Sequence, residues 1–216
     1  MVIDEGQDFK QDWWEILQLF LHPNADVLWL EDPEQNIYDR EPVELEGFVT
    51  YRDQRNFRTP TSIADWMHEY LGVAFESVNP LPGMGVELNT WTEDEEDPVP
   101  LLVKRVKALK RIGFKNEEIV ILSCGGRGKS FVGEKTDIGG IKLRLATGRF
   151  GADDAEIYTD GQILFETVYR FKGQQAPAII FIDAQTPEHA SDRMKRVMFC
   201  GMTRATVRLE LITVLR

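Results

Sequence analysis

Two short runs, Ile119–Leu122 and Ala178–Ile182, carry no polar side chain at all. A half-buried strand alternates apolar and polar residues, whereas a run apolar at every position has both faces covered. Such strands belong to a parallel sheet with helices packed on each side. The segments around them agree. Residues 11–21, Pro60 to Leu71, Val99 to Ile112 and Asp192 to Ala205 carry helical spacing, with Thr59 and Pro60 opening the second and Gly113 closing the third. Asp26–Leu30, Phe48–Arg52, Val86–Trp91 and Val207–Val214 read as further strands. Glu156–Tyr158 and Ile163–Val168 flank Asp160-Gly161, a hairpin signal. The fold class expected is α/β: a parallel sheet flanked by helices.

Composition narrows the function. The apolar fraction of 43% and charged fraction of 28% are those of a soluble globular protein. No apolar run is long enough to cross a membrane, and no signal peptide opens the chain, so a cytoplasmic protein is expected. The two cysteines, Cys124 and Cys200, lack metal-ligand spacing and read as reduced thiols. The net charge of −11 is uneven. Residues 1–100 hold 5 Lys and Arg against 23 Asp and Glu, and residues 101–216 hold 20 against 13. The second part therefore suits a polyanion. Against that, Lys104, Arg105, Lys107, Lys110 and Arg111 also fit the solvated face of one helix. The acidic run Glu93–Asp97 reads as an exposed loop.

Two segments invite phosphate chemistry. Val2-Ile3-Asp4-Glu5 takes an apolar strand into paired carboxylates, the form of a Walker B strand. Its Asp holds Mg²⁺ and its Glu polarises an attacking water. Gly126-Arg127-Gly128-Lys129-Ser130 looks like the end of a phosphate loop, but Ser123 stands where the full pattern needs Gly. Phe131-Val132-Gly133 is also a poor helix start, so a flexible basic loop is the better reading. A small phosphate-loop kinase built on Gly128-Lys129-Ser130 is the alternative it leaves open.

Four further segments follow the opening motif: Glu31-Asp32-Pro33-Glu34-Gln35-Asn36-Ile37-Tyr38, Arg55-Asn56-Phe57-Arg58-Thr59-Pro60, Thr167-Val168-Tyr169-Arg170-Phe171-Lys172-Gly173-Gln174-Gln175, and Phe199-Cys200-Gly201-Met202-Thr203-Arg204-Ala205. In this order the series resembles motifs II to VI of the UvrD/Rep-type superfamily 1 DNA helicases, including forms fused to nuclease-related domains. The resemblance implies a RecA-like second motor domain over residues 56–216, without the large inserted subdomain, and the C-terminal remnant of a first motor domain over residues 1–55.

The roles it implies are residue-specific. Asp4 would hold Mg²⁺, Glu5 would act as general base, and Gln7 would join motif II to the nucleotide or to motif VI. Gln35 would sense the γ-phosphate, its amide both donating and accepting. Arg58 and Arg204 would be arginine fingers, permanently charged forks that stabilise phosphoryl charge. Gln175 stands where the family has a Glu at the nucleotide sugar, and Tyr169 where it has a His. Tyr38, Thr167, Tyr169, Lys172 and Gly173 would meet single-stranded DNA. Glu31-Asp32 replaces the usual Gly-Asp, and Asp39-Arg40-Glu41-Pro42 replaces the Trp and Arg expected after Tyr38. ATP and Mg²⁺ are the implied cofactors, and 3′ to 5′ movement on single-stranded DNA, in DNA repair, the implied work. No phosphate loop precedes Asp4. A missing N-terminal helicase portion with Walker A is therefore the expected partner, the chain alone is expected to be inactive, and an apolar face around Trp13, Trp14 and Trp29 is expected to lack cover. The alternative is a helicase-derived module that has lost catalysis and binds nucleic acid or a protein.

Overall fold

The structure, a computed structural model, describes residues 1–73, 76–92 and 97–215. Glu93–Glu96 of the acidic run lie outside the described residues. In chain order the elements begin with β1 (Val2–Ile3), α1 (Gln11–Gln18), β2 (Leu28–Trp29), β3 (Arg55–Asn56), α2 (Thr61–Leu71) and β4 (Glu76–Ser77). They continue through β5 (Val86–Thr92), α3 (Val99–Arg111), β6 (Ile119–Ser123), β7 (Asp137–Ile138), β8 (Ile141–Arg144), β9 (Ala146–Phe150) and β10 (Glu156–Tyr158). The last are β11 (Ile163–Thr167), α4 (Val168–Phe171), β12 (Ala176–Gln185), α5 (Asp192–Met202) and β13 (Ala205–Leu215).

The main sheet has seven strands in the order β5-β13-β12-β6-β11-β8-β7, and only the β7–β8 edge pair is antiparallel. The apolar runs sit at its centre. Every residue of β6 is buried, and β12 pairs on one side with β6 from Ala178↔Ile119 to Ile182↔Ser123. Alternate residues feed two cores. Ile179 and Phe181 join α2 and α5, whereas Ile180 and Ile182 join α3. Each fully buried aliphatic side chain contributes about 1.5–3 kcal/mol, so this two-sided burial is what makes a parallel sheet worth building.

Helix ends follow local chemistry. The Ser191 hydroxyl accepts from the Met194 N–H at 3.2 Å and starts α5, and Gly72 closes α2 in the left-handed conformation with φ 70°. α5 lies hard against β12 because Gly201 has no side chain: a Cβ there would stand 2.3 Å from the Phe181 ring. On the opposite face Glu210, 1% exposed, is satisfied by Arg105 at 2.7 Å and Arg208 at 3.1 Å. Arg105 is therefore not part of a merely solvated helix face.

Several sequence expectations are corrected. Phe48–Arg52 forms no strand; Phe48 packs edge-on against Trp14 at 5.9 Å, while Val49 and Tyr51 are exposed. The hairpin about Asp160-Gly161 does not form. β10 pairs with β9, and β11 enters the main sheet between β6 and β8. Gly161 serves close approach instead, since a Cβ would fall 2.2 Å from the Leu143 backbone. The last helix ends at Met202, and Ala205 already belongs to β13. The first helix ends at Gln18, short of residue 21. The second strand shrinks to Leu28–Trp29. Trp14 is not left uncovered. It is 3% exposed, held by Trp29 at 5.5 Å and by Phe48, whereas Trp13 is exposed as expected and the uncovered apolar surface continues over Val2, Ile16, Leu19, Phe20 and Leu28.

Candidate functional site

The N-terminal segment docks on the main sheet domain through residues 32–40. Ile37 is fully buried in the core shared with α2 and α5. Arg196 and Arg193 of α5 donate to the carbonyls of Asn36 at 2.9 Å and Ile37 at 3.2 Å, and Arg196 also pairs with Asp39. These contacts set a cleft whose walls come from sequence-distant motifs.

On one wall, β1 pairs in parallel with β2 and delivers Asp4 and Glu5 at its end. Asp4 accepts the Glu5 N–H at 2.9 Å and is exposed. Glu5 holds a left-handed backbone, φ 54°, unusual for a residue with a side chain and a mark of local strain at sites. Gln7 is buried and couples the two turns: its Nε2 donates to Glu5 at 2.6 Å, and its Oε1 accepts the Asp32 N–H at 2.9 Å. Asp32 in turn accepts Nε2 of Gln35 at 2.6 Å, which fixes the amide so that its oxygen faces α5.

Arg204 meets that oxygen. It is 2% exposed, donates to Gln35 Oε1 through Nη2 and to the Cys200 carbonyl through Nε at 2.9 Å. Among the described residues no carboxylate lies within ion-pair distance of its guanidinium. A buried cation without a counter-charge is costly, and an anion beside it would relieve that cost. Arg58 stands nearby. Partial burial lowers its pKa, the Arg204 charge adds to that, and Glu5 opposes it. Among the described residues its guanidinium has no hydrogen-bond partner. Burial likewise pushes up the thiol of Cys200, despite Arg204 beside it at 3.8 Å.

Lys172 occupies the cleft floor. Its ammonium, 8% exposed, pairs with Asp8 at 2.7 Å and Glu5 at 3.2 Å and donates to the Gln35 carbonyl at 3.2 Å. The Asp8 Oδ1 atom is buried without a hydrogen-bond partner among the described residues. Tyr38 and Tyr169 face each other at 5.7 Å, with Arg40 over Tyr38 at 5.4 Å. Tyr169 also accepts from Arg193 at 3.2 Å.

Glu5, Gln7, Gln35, Arg58, Lys172 and Arg204 are thus brought together, and Asp4 lies beside them. Thr167 is buried at the end of β11, Gly173 holds φ 81° in the turn after α4, and no hydrogen bond ties exposed Gln175 to the cluster. Asp8, Asp32, Arg193 and Arg196 were not singled out in the sequence. Only their positions, in the turns flanking Gln7 and Gln35 and one helical turn apart on α5, could have pointed to them.

The Gly128-Lys129-Ser130 loop is a different matter. β6 leads into a single tight turn at Arg127–Lys129 and no α-helix. The N–H groups of Lys129, Ser130 and Phe131 are spent on Gly126, Arg127 and Asp183. With those three groups engaged and no helix N-terminus following, the loop lacks the strand–loop–helix form that a phosphate loop needs.

Residues 162–212, from the start of β11 to the middle of β13, match the UvrD-like helicase C-terminal domain. The matched segment contributes Lys172 and Arg204 to the cleft. The fold is also similar to a solved C-terminal domain of a possible DNA helicase from Lactobacillus plantarum WCFS1, with TM-score 0.54 and 17% identity over 73% of this chain and 87% of that one. No curated protein matches the chain. Among the described residues no helix is long and apolar enough to cross a membrane.

Proposed function

We propose that the chain is the C-terminal motor portion of an ATP-dependent superfamily 1 DNA helicase that moves 3′ to 5′ along single-stranded DNA. The observation that carries this reading is buried Arg204, unpaired by any described carboxylate and held against Gln35, with the free guanidinium of Arg58 beside it. The residues fit Mg-ATP as the half of a site that receives the terminal phosphate. Asp4 would hold the metal, Gln35 the phosphate oxygen or the water, and Arg58 and Arg204 the phosphoryl charge. The bound nucleotide supplies the phosphoryl group. Glu5 would take a proton from the attacking water, and Arg58 and Arg204 would orient the phosphoryl group and bind its charge. The phosphate cradle would come from a Walker A lobe seated against β1 and β2. Because Arg204 and Gln35 come from opposite walls, a ligand at their junction would tie nucleotide state to cleft closure. Tyr38 and Tyr169 form the aromatic surface on which bases would stack.

The test is DNA-stimulated ATP turnover in the intact enzyme. Arg204→Ala lowers kcat by about 10³-fold or more, the range for an arginine finger, while single-strand binding stays at the wild-type level. Unchanged turnover removes Arg204 from the reaction. One observation favours a second reading, a catalytically silent binding module: Lys172 neutralises Glu5, the would-be general base. Under that reading the intact enzyme binds DNA and turns over no ATP, with or without Arg204.

A further inference from the structure

The main sheet reverses its winding between β12 and β6. The chain leaves β6 towards β8 and β7 at one edge, and leaves β12 through α5 towards β13 on the other side. Where neighbouring parallel strands send their connections apart, a crevice opens beyond their carboxyl ends, the usual ligand position in open α/β sheets. Here it measures about 350 Å³, and its lining includes Trp91, Lys129, Phe131, Asp183, Gln185 and His189. It is remote from the cleft. Arg204 precedes the amino end of β13, whereas Gln185 and Val214 stand at the carboxyl ends. β12 is 10 residues long, so the two sites are about 30 Å apart along it.

The crevice is built rather than accidental. Trp91, Val214 and Gln185 lie side by side in register across β5, β13 and β12. The β12–β13 register shifts between Phe181 and Ala184, and Asp183 there takes φ 60°, a left-handed backbone inside a strand. Such strain persists only where its surroundings fix it. Asp183 accepts from the Ser123 hydroxyl at 2.6 Å and the Phe131 N–H at 3.3 Å, and its carbonyl accepts from Cys124 Sγ at 2.8 Å. The strained aspartate thereby pins the Gly-rich loop as one wall of the crevice. Lys129 on that wall is exposed, and among the described residues its ammonium has no partner.

We propose that this crevice binds one nucleotide, its base on Trp91 and Gln185 and its phosphate on Lys129 and His189. An indole face stacks any base, and a primary amide can both donate to and accept from a base edge. Lys129 supplies the point charge that a phosphate needs, while Asp183, with both carboxylate oxygens engaged, keeps the phosphate to the lysine side. The inference does not rest on the reading of the cleft. The nucleotide is either free or one unit of a single strand crossing the carboxyl edge of the sheet.

Calorimetric titration of the chain with dAMP, and anisotropy with a labelled short oligo-dA, test it. Wild type binds at least one probe. Lys129→Ala and Gln185→Ala each weaken that binding about tenfold, as does Trp91→Ala. Lys104→Ala, which removes the same charge from α3, leaves it unchanged. Binding of dAMP with these sensitivities identifies a free nucleotide, and binding of oligo-dA alone with the same sensitivities identifies a strand. The proposal is overturned if neither probe binds, if Lys129→Ala and Gln185→Ala bind like wild type, or if Lys104→Ala weakens binding as much as Lys129→Ala. Loss of the cleft's ATP chemistry in Arg204→Ala would leave each of these outcomes readable.

Discussion

Single side chains in this molecule are placed by what they cannot find as much as by what they touch. Arg204 is buried with amide and carbonyl acceptors but no described carboxylate, and Asp183 is half-buried among hydroxyl and amide donors but no described cation. The second case has a pH signature. Burial raises the pKa of Asp183, and hydrogen bonds from Ser123, Ser130 and the Phe131 N–H only partly offset it. With the folded value above the unfolded one, the protonated side chain favours the fold. That contribution is complete below the ordinary carboxylate range and is lost as pH rises through the raised value. Asp183→Asn keeps an acceptor for Ser123 and removes the charge. Urea unfolding midpoints should therefore fall less between acidic and neutral pH in Asp183→Asn than in wild type, and parallel slopes would show that Asp183 does not titrate in this way. At this scale the sequence was informative wherever a motif carried the residue. Gln35, Arg58 and Arg204, each named from a motif, lie in one cleft, whereas Asp183 sits in no motif, and nothing in Phe-Ile-Asp-Ala announces a left-handed backbone.

Elements were legible where burial is two-sided and misread where pairing is remote. β6 and β12 follow from apolar composition alone, since no other environment tolerates such runs. The Asp160-Gly161 turn misleads because its dipeptide favours a hairpin locally, while β11 gains two long-range parallel partners instead. The glycine is required for another reason: β11 enters so close to β8 that a Cβ at Gly161 would lie 2.2 Å from the Leu143 carbonyl carbon and 2.5 Å from the Arg144 nitrogen. Backbone cannot yield as a side chain can. Gly161→Ala should cost about 3 kcal/mol, a fall in melting temperature of roughly 6–12 °C for a domain of this size. A melting curve that overlays wild type would mean that the turn has room the structure does not show. The Phe48–Arg52 stretch failed for a related reason. Its alternating pattern has no neighbouring strand to pair with among the described residues, so the segment spends Phe48 on Trp14 and leaves the rest exposed.

At the scale of the whole molecule, the N-terminal segment and the main sheet are held together by a seam with charge at its centre. Lys172 is the one side chain of the sheet domain seen to bind Glu5, Asp8 and the Gln35 carbonyl together. Lys172→Met keeps the length and removes the charge, leaving two carboxylates facing each other without relief. Hydrogen exchange should then rise at the Gly6 and Leu30 amides, whose hydrogen bonds hold β1 to β2, and stay unchanged in β6 and β12. Uniform acceleration throughout the chain would mean that the seam and the sheet open as one unit. Gly201 sets how closely one side of the seam is seated. Because α5 is seated against Phe181 with no side chain between them, it has no clearance to slide or roll on β12. Arg204 at its end behaves as a fixed jaw machined into the sheet. On the motor reading proposed above, closure of the cleft would fall to the segment that carries Gln35.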